Sequence, residues 1–193
     1  MKYDDDAALM ESAARGDSGS FSILVKRYQK QVFNFFLRTT GSFEDAEDLS
    51  QQLFVNLFRS VKRYRPKALL RTYIFRIAAN LAASHARKRS IRKGRSLDEM
   101  FERGIEPEAE EQGADPSVLV EGKELKQAYL DALFELPQEW RIAMELRVGR
   151  GFSYSDIAEA MGKTVPAVES ILYRARERLA LALSGFRDDR DES

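Results

Sequence analysis

Between Asp48 and Asp98 the chain carries thirteen basic side chains and not one carboxylate. They are Arg59, Lys62, Arg63, Arg65, Lys67, Arg71, Arg76, Arg87, Lys88, Arg89, Arg92, Lys93 and Arg95. Fixed cations at this density suit a polyphosphate partner, because each neutralised phosphate releases a condensed counterion. Inside the block, Lys62-Arg-Tyr-Arg-Pro-Lys-Ala-Leu-Leu70 reads as a proline-containing loop with cations around Tyr64. A loop of that kind holds single-stranded bases by stacking and backbone pairing, and Tyr64 serves equally well as a core aromatic. A second cationic set, Arg174, Arg176 and Arg178, lies towards the other end of the chain, where a guanidinium can take a guanine edge or a phosphate.

Other chemistries find little to work with. The absence of cysteine rules out disulfides, thiolate zinc sites and cysteine nucleophiles, and the only histidine, His85, ends an apolar stripe where a structural role is expected. Asp45 and Asp48 are a carboxylate pair that could serve a magnesium-dependent nuclease, but no base stands beside them, and that reading is poor. No catalytic residue, metal or cofactor is therefore expected, and the protein reads as a binder rather than an enzyme. The opening Met-Lys-Tyr-Asp-Asp-Asp has no basic segment leading into an apolar one, and no apolar run reaches the ~20 residues of a bilayer span. A cytoplasmic protein with no membrane insertion is expected.

These residues must be positioned by a chain of 193 residues, 44% apolar and 32% charged, which is enough for two small domains. Its 31 basic and 31 acidic residues cancel only in the total. From Asp98 to Glu124 ten carboxylates face Arg103 and Lys123 alone, with Gly104, Pro107, Gly113 and Pro116 among them and no aromatic residue after Phe101. That stretch reads as a flexible acidic linker. On both sides of it apolar residues recur at helical spacing and no segment alternates long enough for a sheet. The expected fold is all-α: helices near 4–15, 20–39, 44–61 and 70–89 form a four-helix bundle in a domain over 1–92. The linker covers 93–118. Helices near 117–135, 137–148, 153–161 and 164–183 make a second domain over 119–186, with a disordered tail at 187–193. Ser42 and Ser153, each with an aspartate three residues on, mark helix starts, and Gly16, Gly41 and Gly162 mark stops.

Helical spacing then sorts faces. In the helix from 70, Ile74, Ile77, Ala78, Leu81 and His85 form an inward stripe, leaving Tyr73, Arg76, Asn80, Ser84 and Arg87 on another face that mixes cations, an aromatic and an amide. In the helix from 44, Leu49, Leu53, Leu57 and Val61 turn inward, while Asp45, Asp48, Gln51, Gln52 and Asn56 with Phe54 make a face suited to a protein partner. Residues 154–173 fit a helix-turn-helix: Ala158 at the crossing, Gly162 at the turn, and Ile157, Met161, Val168 and Ile171 or Leu172 as the wedge. With Thr164 as cap, Val165, Val168, Leu172, Ala175 and Leu179 inward, the second helix presents Pro166, Ala167, Glu169, Ser170, Tyr173, Arg174, Arg176 and Arg178 to a major groove.

Taken together, these segments resemble bacterial RNA polymerase sigma factors of the extracytoplasmic-function (ECF) group. Ala14-Arg-Gly-Asp17, Asp45-Ala-Glu-Asp-Leu49, Gln51, Phe54 and Arg76-Ile-Ala-Ala-Asn80 look like the family's region 2. Leu136-Pro137, Tyr154, Ile157-Ala158, Val168, Ser170 and Arg174-Ala-Arg-Glu-Arg-Leu179 look like its region 4. The resemblance implies that Asp45, Asp48, Gln51, Gln52, Phe54 and Asn56 dock on core RNA polymerase, at the clamp helices, with the flap as a further contact. It implies that Arg63, Tyr64, Arg65, Lys67, Tyr73, Arg76, Asn80, Arg87 and Lys88 engage a minus-10 element. Thr164, Ala167, Glu169, Ser170, Tyr173, Arg174, Arg176 and Arg178 would then face a minus-35 element. The linker would thread towards the active-site cleft, and an anti-sigma protein is a possible further partner. Tyr73 stands where the family often has tryptophan, Gln52 where it often has glutamate, and Val165-Pro-Ala-Val168 and Glu169 depart from the frequent recognition-helix pattern. The competing expectation is a free helix-turn-helix regulator that binds duplex DNA without polymerase.

Overall fold

The computed structural model describes residues 3–64, 69–93 and 116–184. Most of the expected linker, the tail at 187–193, Arg65 and Lys67 lie outside the described residues, as does the side chain of Arg63. Among the described residues there are eight α-helices and no strand: α1 (Tyr3–Ala14), α2 (Ser18–Thr40), α3 (Phe43–Ser60), α4 (Leu70–Lys93), α5 (Pro116–Glu135), α6 (Gln138–Met144), α7 (Tyr154–Met161) and α8 (Val165–Ala182). One 3-10 turn, Val61–Arg63, follows α3.

In the first half, Leu24, Tyr28, Val32 and Phe35 of α2 repeat at three and four residues and are buried against Leu49, Leu53 and Leu57 of α3 and Ile74 and Ala78 of α4. Helix α1 is held on α2 by Met10 and by the buried Asp6, which accepts from the Tyr28 phenol and the Arg27 guanidinium. Burial, with the Asp6 carboxylate beside it, pushes the Tyr28 phenol's pKa up, so that it stays a donor. At the end of α2, Gly41 adopts a left-handed φ of 75° and closes the helix through its N–H to the Leu37 carbonyl. In the second half, Leu133, Leu136, Ile142, Leu146, Ile157, Val168 and Leu172 form the buried stack of α5 to α8.

The two helical regions pack directly on each other, and their buried side chains form a single cluster. Spacing along α4 anticipates half of this. Ile74 and Ala78 are buried as expected, but so are Phe75, Ala79 and Ala82, whereas Ile77, Leu81 and His85 are only half-buried. The cause is a second partner: α7 lies along α4, and the Phe152 ring before it meets Phe75 edge-on at 5.7 Å. Arg71 stacks over Phe152 at 4.7 Å and Arg150 over Phe75 at 5.2 Å, while Gln138 donates to the Ala82 carbonyl at 3.1 Å.

A second difference concerns the helix expected over 137–148. After Met144 it widens into a π turn, Glu145–Gly149. The Glu145 carboxylate folds back over Gly149, where a Cβ would overlap it, and is buried between Arg150 (3.2 Å) and Arg38 of α2 (3.4 Å). Val165, expected inward, is 38% exposed, because the cap at Thr164 holds the first turn of α8 at the surface.

Candidate nucleic-acid interface

Three surfaces collect the candidate residues. On α3, Asp48, Gln51 and Gln52 are exposed, Asn56 is half-buried, and Phe54 packs partly on the core. The same stripe continues through Val55 and Phe58, 48% and 60% exposed, with Phe58 edge-on to Phe21 at 5.1 Å. Spacing of three and four from Gln51 would have found these two, giving an apolar centre with a polar border. Asp45 is turned elsewhere: its carboxylate lies 3.2 Å from His85 Nε2 and 3.4 Å from Arg89 of α4. The capping box at Ser42 is consequently half-made, with Ser42 accepting from the Asp45 N–H and no return bond. Asp45 thus joins α3 to α4, and among the described residues no three His, Asp or Glu side chains gather as a metal site would need.

The Tyr64 ring, after the 3-10 turn, meets the Tyr73 ring of α4 at 5.4 Å. Both are half-buried and packed against the core, so Tyr64 serves as a core aromatic. Burial first, then the carboxylate of Asp6, raises the Tyr64 pKa and keeps the phenol neutral. Arg76 lies over the Tyr73 ring at 5.1 Å and pairs at 3.5 Å with Glu159 of α7. One turn further Asn80 is exposed, as are Arg87, which donates to Ser84 Oγ at 3.0 Å, and Lys88.

The helix-turn-helix is complete. Ser153 and Asp156 cap α7 reciprocally, Gly162 takes φ 63° at the turn, and Thr164 caps α8 through the Ala167 N–H at 3.4 Å with Pro166 in the first turn. Ala158, Ile157, Val168 and Leu172 are buried between the helices, with Met161 and Ile171 at the margin. The exposed surface of α8 divides into two adjoining stripes. Ser170, Arg174 and Arg178 form one, and Glu169, Tyr173 and Glu177 the other. A hydrogen bond to the Glu177 carboxylate raises the Tyr173 phenol's pKa. Arg176 donates to the Tyr154 hydroxyl at 3.1 Å, and the Tyr154 ring carries the Arg147 guanidinium at 5.1 Å. Thr164 is exposed and Ala167 half-buried at the N-terminal end.

Sequence reasoning passed over the residues that join the halves: Arg38, Phe75, Glu145, Arg150 and Phe152. The one available signal was Glu145, a lone carboxylate inside the run Ile142-Ala-Met-Glu-Leu146.

Comparison with known proteins agrees with this geometry. Residues 24–91 match the model of Sigma-70 region 2 and residues 126–179 that of Sigma-70, region 4. The chain is 30% identical over 187 residues to the RNA polymerase sigma-H factor of Pseudomonas aeruginosa, covering 95% of this chain and 96% of that one. It is 32% identical over 180 residues to the ECF RNA polymerase sigma-E factor of Escherichia coli, covering 90% and 92%. Its fold is similar to that of CnrH in complex with the cytosolic domain of CnrY, with TM-score 0.67 and 23% identity over 94% of this chain and 98% of that one. It is similar also to the sigma factor RpoE of Bartonella quintana bound to the anti-sigma factor NepR, with TM-score 0.67 and 24% identity over 85% and 96%. With a region 2 bundle, a region 4 helix-turn-helix and relatives alike over nearly their whole length, this chain belongs to the ECF group of the sigma-70 family.

Proposed function

We propose that this sigma factor joins core RNA polymerase through the α3 stripe, reads a minus-10 element with α4 and the loop before it, and reads a minus-35 element with α8. The observation that carries the reading is the presence of two separate cation-bearing helix faces in one chain, only one of which belongs to a helix-turn-helix. A free regulator needs the α8 face alone. Asp48, Gln51, Gln52, Phe54, Val55, Asn56 and Phe58 form the polymerase-docking stripe, with Asp45 orienting it from behind through His85 and Arg89. Arg76, Asn80, Arg87 and Lys88 serve the minus-10 side with the segment bearing Arg63, Arg65 and Lys67, and with Tyr64 and Tyr73, whose rings meet.

On the minus-35 side, Arg174 and Ser170 face base edges, Arg178 holds phosphate, and Arg176 is steadied by Tyr154. Glu169 and Tyr173 select rather than attract, since a carboxylate near phosphate is repelled unless it accepts from a cytosine amine. Region 2 spans 1–92, the acidic linker 93–118 and region 4 119–186. The sigma-factor family is not an enzyme family, and no helix among the described residues is long and apolar enough to cross a membrane. The protein works with polymerase in the cytoplasm and has no cofactor. An anti-sigma protein is a fitting regulator, since RpoE of Bartonella quintana is bound by one.

Gel shifts with promoter duplex test the reading: affinity should be weak for the chain alone and strong once core polymerase is added. Equal affinity with and without polymerase would favour the free regulator. Asn80→Ala should slow transcription from a duplex promoter more than from a premelted one; equal losses on both would remove Asn80 from the opening step.

A further inference from the structure

We propose that the polymerase-docking surface does not end with the α3 stripe: an aromatic seam between α2 and α3 carries it on to a second anchor, the ring pair Phe33 and Phe43, along which a helical face of core RNA polymerase lies. The proposal rests on the assignment of the α3 stripe to polymerase and deepens it, adding two residues, a length and a charge pattern for the partner.

The seam follows from the α2–α3 hairpin, in which the start of one helix lies beside the end of the other. At one end Phe21 of α2 meets Phe58 of α3 edge-on at 5.1 Å, and at the other Phe33 meets Phe43 edge-on at 5.0 Å. Phe43 and Phe58 stand about four turns, or about 22 Å, apart along α3. Between the two pairs Phe54 of α3 and Val25 of α2, both half-buried, sit at helical spacing on the same edges. A straight apolar seam between two packed helices is the kind of groove into which a third helix fits.

Phe43 is 62% exposed and has no use in the helix it opens. Ser42 caps α3 through its hydroxyl, and the apolar contact that often supports such a cap joins the residue before it to the fourth helical residue, here Gly41 and Ala46. Phe43, first in the helix, holds neither position. One exposed ring would say nothing, but this one is paired with Phe33 and continuous, through Phe54, with the exposed Phe58 of the docking stripe. The walls of the seam carry opposite charge. On the α3 side stand Glu44, Glu47 and Asp48, and on the α2 side Lys26 and Lys30, all exposed. Among the described residues none of these side chains is engaged in an ion pair, whereas their neighbour Arg27 is held by Asp5 and Asp6. The complementary helix has an apolar stripe about four turns long, with Lys or Arg along the edge towards α3 and Asp or Glu along the edge towards α2. The ring pairs hold it, and the charged walls orient it and speed its arrival.

The test uses the full-length chain and purified core polymerase, with affinity read by competition against fluorescent wild-type chain. Phe43→Ser should weaken binding roughly tenfold, as the loss of an anchoring interface ring does, and leave thermal unfolding where it was. Phe33→Ala, read beside its own unfolding curve, should weaken binding about as much. The double variant should be hardly weaker than either, because the two rings act through their mutual contact. Lys26→Glu with Lys30→Glu should slow association at low salt, and added salt should remove the difference. A photoreactive benzoylphenylalanine in place of Phe43 should cross-link to polymerase.

Full affinity in Phe43→Ser beside weakened binding in Phe58→Ala would confine polymerase to the α3 stripe and overturn the second anchor alone. Full affinity in both variants would mean that α3 is not the docking face, and the assignment of the stripe would fail together with its extension. A cross-link from position 43 only to a second copy of this chain would give the ring pair to self-association and overturn the proposal.

Discussion

Helix α8 buries one stripe, Val168, Leu172, Ala175 and Leu179, with Ala167 and Ile171 at its margin, and leaves most of the rest to solvent. Helix α4 buries Ile74, Phe75, Ala78, Ala79 and Ala82, a wider sector, because it packs on its own bundle and on α7. Both carry the cations proposed to meet DNA, yet their surroundings differ: Arg174 is exposed, whereas Arg71 and Arg76 contact the opposite half. A helix with one buried stripe answers to its local neighbours alone, while one packed on two sides answers to both halves of the chain.

The largest effect expected from that difference is on stability. Phe75→Ala should cost about 3–5 kcal/mol in urea unfolding, because the ring is buried from both halves. A loss of only about 0.5 kcal/mol, the size expected of an exposed surface residue, would mean that the two-sided packing is not formed in solution. Next in size, Arg174→Ala should lower promoter use by roughly 1–3 kcal/mol and relax the requirement at one minus-35 base pair. A uniform weakening across all sequences would instead assign Arg174 to phosphate. Ser153→Ala, which removes the reciprocal cap of α7, should destabilise the protein by about 1 kcal/mol. The corresponding Ser42→Ala should cost less, since only half of that box exists; the reverse order would contradict the assignment of Asp45 to α4.

The smallest effect is a slope in pH. Burial raises the Glu145 carboxyl's pKa, and the Arg38 and Arg150 guanidiniums pull it back. The native state keeps this proton over a range in which the unfolded chain has released it. Its contribution to stability therefore declines as pH rises from about 4.5 through the raised value. Glu145→Gln cannot titrate and should lack that part of the decline, and superimposable profiles for the two proteins would contradict the burial.

The same contrast explains what the sequence disclosed. Period and cap signals placed α8, its N-cap at Thr164, the α7 stop at Gly162, and the outward residues of α8, because one buried face against local neighbours leaves a single helical stripe. They placed the bounds and the buried stripe of α3 equally well, though not the outward Val55 and Phe58. For α4 the period gave one stripe of two, since Phe75 meets Phe152 as well as Phe35 and the Ala82 carbonyl receives Gln138, partners far along the chain about which local spacing is silent. Glu145 and Gly149 were opaque for a related reason: a buried carboxylate looks like any surface acid until Arg38, over a hundred residues distant, is brought to it. Asp45 shows the limit of motifs, because its position three residues after Ser42 fits a capping box while its side chain answers to His85 and Arg89.

The most direct test of the central claim is run-off transcription by the purified chain and core RNA polymerase on a library of randomised promoters. The account predicts transcripts, absent without the chain, whose start sites share two conserved elements upstream, one sensitive to Arg174→Ala and the other to Asn80→Ala. Transcripts that depend on a single element, or none at all from a chain that stably binds polymerase, would contradict it.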